Sequence, residues 1–170
     1  MNNVNFDLVI DRRNTNSLKH DFAKENNLPE DVLPMWVADM DFKAAPCVIE
    51  ALQKSVDHGI FGYSDTKDDY YDIVVSWFKE HFDFVPERQW LVKTPGVVYA
   101  LAMAVRALTK EGEAVIIQPP VYYPFYNVIR NNKRRIIESP LVYNEGKYTI
   151  DFEDFEQKIK DNDVKLFILC

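Results

Sequence analysis

Ala114-Val115-Ile116-Ile117-Gln118-Pro119-Pro120-Val121-Tyr122-Tyr123-Pro124-Phe125 decides the fold. Its first five residues form a buried-type strand, its prolines set a turn, and a helix is expected from about Phe125 to Asn131. Upstream, a short strand is expected over Gln89–Val92. Thr94-Pro95-Gly96 then turns into a helix that runs through Leu108, with Leu101, Ala102, Val105 and Leu108 in phase. Downstream come a strand at Arg135–Glu138, a hairpin across Asn144-Glu145-Gly146-Lys147, and a helix capped by Asp151 that carries Phe152, Phe155 and Ile159. Strands separated by helices imply an α/β fold with a mostly parallel, covered sheet.

Farther out the pattern is helical at both of the earlier apolar stretches. Pro46 opens one helix whose stripe is Val48, Ile49, Leu52 and Val56, and Gly59 is placed to end it. A second helix is expected from about Tyr70 to Phe82, with Tyr70, Val74, Trp77, Phe78 and His81 along one aromatic face. The first 45 residues, rich in Asn, Asp and Pro, read as an irregular arm. The chain closes on another apolar run, Val164–Cys170, and reads as the front part of a larger enzyme.

Composition narrows the function. Of 170 residues, 47% are apolar and 14% aromatic, enough for a real core. Twenty Lys plus Arg against 27 Asp plus Glu give a net charge of -7, which argues against a nucleic-acid or anionic-membrane partner and for a small molecule or a protein. The basic cluster Lys133-Arg134-Arg135 reads as a solvated junction between a helix and a strand. Cys47 and Cys170 stand in no disulfide or zinc spacing, so no metal is expected and a reducing cytoplasm fits best. Neither a signal peptide nor a run approaching ~18 apolar residues occurs.

Four segments could carry chemistry. At Thr94-Pro95-Gly96-Val97-Val98 the unpaired N–H groups of a helix start could hold a phosphate, although a glycine turn that merely opens a helix is the better reading of these five residues alone. No G-x-G-x-x-G or Walker A pattern is present, which disfavours Rossmann and nucleoside-triphosphate binding. The turn at 118–125 lies where the carboxyl end of a parallel strand makes a ligand crevice, and a tyrosine there could stack on a flat ring or simply fill the core. In Met35–Phe42, Asp39 and Asp41 could suggest acid–base or metal work but are expected to bond local backbone. Phe61-Gly62-Tyr63 is a loop with a hydroxyl to offer. His20, His58 and His81 are assigned to surface or helix faces.

Taken in order, the Asp11–Ser17 segment, MWVADMDF at 35–42, FGY at 61–63, TPGVVYAL at 94–101 and QPPVYYPF at 118–125 resemble the pyridoxal-phosphate-dependent cystathionine β-lyases of the MalY/PatB type, within the fold-type I aminotransferase superfamily. The resemblance covers essentially the whole chain. His20 departs from it, since the family often has Trp there.

The resemblance implies a three-layer α/β fold, incomplete here. Residues 1–45 would form an N-terminal arm and part of a small domain, and 46–170 the first part of the large domain that binds pyridoxal 5'-phosphate (PLP). It implies that the N–H groups of Val97 and Val98 hold the cofactor phosphate, that Tyr122 stacks on the pyridine ring, and that Tyr63 reaches the phosphate in the neighbouring subunit of a homodimer. The Val37-Ala38 backbone would border the substrate carboxylate. The implied reaction is an α,β-elimination giving thiol, pyruvate and ammonia from cystathionine or cysteine-like amino acids.

The Schiff-base lysine, the aspartate for the pyridine nitrogen and the substrate-gripping arginine are expected beyond Cys170, so neither Lys93 nor Lys147 is given a catalytic role. The 170 residues alone are expected to show no turnover and weak PLP binding at most. An aminotransferase with the same cofactor site remains an alternative, as does a regulatory, partner-binding protein on this fold.

Overall fold

The computed structural model describes residues 5–29 and 31–170. The chain divides into two compact units, Met1–Asp65 and Thr66–Cys170.

The described residues of the first unit form turns followed by one helix, α1 (Pro46–His58). Proline opens α1, where its missing N–H is no loss, and Gly59 closes it in the left-handed conformation with φ 71°. The turns before it are held by charge. Asp21 accepts hydrogen bonds from the backbone N–H groups of Asn14, Thr15 and Ser17 at 2.9 to 3.1 Å. Asn14 and Asn16, which tolerate positive φ well, supply the left-handed residues of that turn. Phe6 packs edge-on against Phe42.

The second unit begins with α2 (Asp68–Phe82) and contains α3 (Val97–Leu108), β1 (Ala114–Ile117), α4 (Pro124–Asn131), β2 (Arg135–Glu138), β3 (Val142–Asn144), β4 (Lys147–Thr149), α5 (Phe152–Asn162) and β5 (Val164–Phe167). Three strands form a parallel sheet in the order β2-β1-β5. β3 and β4 form the expected antiparallel hairpin, with Asn144 opposite Lys147 and left-handed Glu145 and Gly146 at the turn.

β1 occupies the centre, and all four of its residues are buried. Val115 and Ile117 meet Val105 of α3 and Phe125, Val128 and Ile129 of α4, which places those two helices on one face. On the other face Phe167, the register partner of Ile116, packs against Phe155 of α5 at 5.0 Å. Helices therefore cover both sides, giving three layers. Asp151 caps α5 as expected, its carboxylate accepting from the Asp154 N–H at 3.0 Å.

Two expectations are corrected. Gln89–Val92 is not a strand. Arg88–Trp90 form a 3-10 turn in which Trp90 and Leu91 donate to the carbonyls of Glu87 and Arg88, so their N–H groups are spent locally. Arg88 braces that turn through Asp68 at 3.1 Å and lies over the Tyr71 ring.

Nor is Lys133-Arg134-Arg135 simply a solvated junction. Arg134 is half-buried and donates to the carbonyl and hydroxyl oxygens of Thr109, satisfying the end of α3. Arg135 donates to the carbonyls of Gly112 and Asn162. Lys133, paired with Glu111 at 3.4 Å, and Arg135 are both exposed, so the solvated reading fails for Arg134 alone.

Candidate functional site

The helix start at Val97 is built to be open. Gly96 precedes it at φ 148° and ψ 164°, a region that essentially only glycine occupies. No side chain caps the helix, and the nearby Thr94 hydroxyl donates to the Gly96 carbonyl instead. The first intrahelical bond runs from Ala100 N–H to Gly96, which leaves the earlier N–H groups without an intrahelical partner. A Cβ built on Gly96 would meet nothing within 4 Å. Val97 is 75% exposed and Val98 partly so. Chemically such a start suits an anion, because the N–H groups and the helix dipole both favour negative charge.

Tyr122 lies five residues past the end of β1, on the carboxyl side of the sheet. Its ring is half-exposed and rests edge-on against Phe125, a core residue, and against Tyr123. The apolar anchor fixes the ring while one part of it stays accessible. Around the same strand ends, Gln118, Pro120, Val121, Leu141, Tyr148 and Leu169 border a cavity of about 350 Å³. A second open cleft, about 420 Å³, lies between α3 and α4 and includes Val98 and Pro124 but not Tyr122.

In the first unit Val37 adopts φ 58°, an outlier for a β-branched residue. The residues that follow it are tied down by Arg12, whose guanidinium donates to Asp39 at 2.5 Å and to Asp41 at 2.7 Å. Lys19 donates to the Asp39 carbonyl at 3.0 Å and to Asp41 at 3.2 Å, and His20 Nε2 lies 2.9 Å from Asp41. These partners, His20 first, then Arg12 and Lys19, hold the Asp41 carboxyl far below the usual carboxylate range. Asp39 is lowered mainly by Arg12.

The expectation that both aspartates bond local backbone is corrected for Asp41 and incomplete for Asp39, which accepts from its own N–H: both pair with cations about twenty to thirty residues earlier. Sequence reasoning missed Arg12 and Lys19 as partners. The available signal was that Asp11–Ser17 and Met35–Phe42 are both parts of the recognised pattern.

Tyr63 projects fully into solvent at the end of the first unit. His58 and Phe61 border a shallow cleft beside it. The expected site residues thus fall into two groups, Val37, Ala38 and Tyr63 in the first unit and Val97, Val98 and Tyr122 in the second. Among the described residues no helix is long and apolar enough to cross a membrane.

The family model described as aminotransferase class I and II matches residues 30–170. The chain is 46% identical over 167 residues to cystathionine beta-lyase PatB of Bacillus subtilis, which covers 98% of this chain and 43% of that protein. Protein MalY of Escherichia coli is 32% identical over 166 residues, 97% of this chain and 43% of MalY. Among solved structures, cystalysin from Treponema denticola, which contains a pyridoxal 5'-phosphate cofactor, matches with a TM-score of 0.84 and 40% identity over 96% of this chain and 42% of that one. The chain spans about 43% of the length of these curated relatives.

Proposed function

The chain belongs to the aminotransferase class I and II family, and on that premise we propose that the whole protein is a PLP-dependent carbon–sulfur β-lyase. The observation that carries this reading is the 46% identity to a cystathionine beta-lyase across nearly the whole chain. The proposed substrates are cystathionine or cysteine-like amino acids, and the products are a thiol, pyruvate and ammonia. A cytoplasmic location is part of the same proposal and accords with two free, exposed cysteines.

The residues present fit the cofactor. An uncapped twelve-residue helix with a glycine-only approach suits a phosphate monoester, and a braced, half-exposed tyrosine suits a flat pyridine ring. When bound, PLP supplies an electron sink for the bonding pair left on the substrate α-carbon. Val97 and Val98 would donate their N–H groups to its phosphate, and Tyr122 would stack on its ring.

Tyr63 would reach the phosphate in a partner subunit of a homodimer. Its full exposure leaves its hydroxyl available, and the α1 stripe of Val48, Ile49, Leu52 and Val56 is likewise uncovered in this chain. The Val37-Ala38 backbone would border the substrate carboxylate. Residues 1–45 would then serve as arm and part of a small domain, and 46–170 as the opening part of the PLP-binding domain.

The test is the full-length enzyme with cystathionine. Release of pyruvate and thiol is expected, and amino-group exchange with a keto acid in its place would reject the lyase reading in favour of an aminotransferase. The 170 residues alone should give no turnover, since we place the Schiff-base lysine beyond them. A stable visible absorbance on adding PLP to this chain would overturn that.

A further inference from the structure

We infer that Arg12 is a positioning residue, whose guanidinium bridges Asp39 and Asp41 and thereby sets the Val37-Ala38 backbone at the edge of the substrate site. The inference rests on the proposed placement of that backbone beside the substrate carboxylate.

The geometry is that of a clamp. Arg12 uses Nη2 on Asp39 and Nη1 on Asp41, and Nη1 also lies 3.4 Å from the Met40 carbonyl, so one planar group engages three consecutive residues. A guanidinium can present such a fork and an ammonium cannot. Lys19 adds a second tie on the Asp39 carbonyl and Asp41, with its side chain only 10% exposed.

Two residues before the clamped trio, Val37 sits at φ 58°. A β-branched residue leaves that region unless its surroundings hold it. The segment after it is the part that is held. Releasing the clamp lets Val37 relax toward ordinary extended backbone, which redirects the peptide groups on either side of it. Arg12 need not touch substrate for this to matter, because it acts on the segment that would.

The test has two arms. In the full-length protein, amide hydrogen exchange is followed at residues 37–42 and, as an internal control, at the 14–17 turn held by Asp21. R12A and R12K should both speed exchange at 37–42 by roughly tenfold or more while leaving 14–17 unchanged, because lysine restores charge but not the fork. V37G, which occupies φ 58° without strain, should shrink the effect of R12A. Should R12A also loosen 14–17, R12K and D39N must speed exchange at 37–42 with 14–17 unchanged, or the proposal is overturned.

In the full-length enzyme, R12A should raise KM for cystathionine about tenfold with kcat within about twofold, the signature of weakened substrate placement rather than lost chemistry. Unchanged exchange at 37–42 in R12A and R12K overturns the proposal. So does faster exchange with unchanged KM, and in that case the lyase reading stands. Should the wild-type enzyme release no pyruvate but exchange amino groups, the lyase reading fails, and R12A must raise KM for that exchange or the proposal is overturned with it.

Discussion

The hydroxyl of Ser139 donates to the carboxylate of Asp154 at 2.8 Å, joining the residue just past β2 to the first turn of α5. Ser139 is 1% exposed, and its own N–H donates to the Ile117 carbonyl at the end of β1. One small residue thus fastens strand ends to a helix start. Ser139→Ala should lower stability by about 1–2 kcal/mol, since a part-buried hydrogen bond to a charged acceptor is lost without much change in packing. Urea denaturation of the wild-type and variant chains at neutral pH measures it.

Asp41 and Asp39 give the first unit an acid limit. Hydrogen bonds from His20, Arg12 and Lys19 depress Asp41, and Arg12 depresses Asp39, below the ordinary aspartate value of 3.8. A carboxyl whose folded-state pKa is lowered stabilises the fold above its unfolded pKa and loses that contribution as pH falls through the folded value. The 37–42 segment should therefore loosen as pH drops below roughly 4, in the range where free aspartate takes up protons. Proteolysis or hydrogen exchange followed from pH 6 downward reports it, and D41N should flatten the response.

Gly96→Ala tests backbone conformation rather than space. Nothing lies within 4 Å of the added methyl, yet φ 148° is strained for any residue with a Cβ. The expected cost is about 1–3 kcal/mol, or an equivalent shift of the turn away from its present shape. On the proposed function, the same variant of the full-length protein should retain less PLP after gel filtration, measured by cofactor absorbance.

Ile117→Ala removes a fully buried side chain from the central strand, where it packs among Val105, Phe125 and Val128. Helices on that face cannot close in freely, so the loss should be about 3–4 kcal/mol. Arg134→Met should cost about 1–3 kcal/mol by stranding the Thr109 carbonyl at the end of α3. Thermal unfolding of each variant provides the comparison.

Elements governed by neighbouring residues were legible in the sequence. Gly59 ends α1, Gly146 turns the hairpin and Asp151 caps α5 because each depends on local backbone chemistry. The apolar run at 114–117 marked the sheet centre because burial on both faces removes polar residues. What failed was decided at a distance. The 3-10 turn at Arg88 is braced by Asp68, and Arg134 and Arg135 find carbonyls more than twenty residues away. The same holds for Arg12 and Asp41, 29 positions apart. Side-chain charge looks alike in sequence whether it meets water or a partner, so the clamp was invisible until the turns were placed.

The sheet order β2-β1-β5 has a consequence for the chain as it is made. Both neighbours of β1 lie after it in sequence, β2 soon and β5 only after the hairpin and α5 have emerged. Until then the most apolar strand in the molecule keeps one row of N–H and C=O groups unpaired, the kind of edge that invites another chain. Parallel pairing across such a span is also slow to form. A nascent chain of this protein thus carries an open edge on β1 until Val164–Phe167 docks.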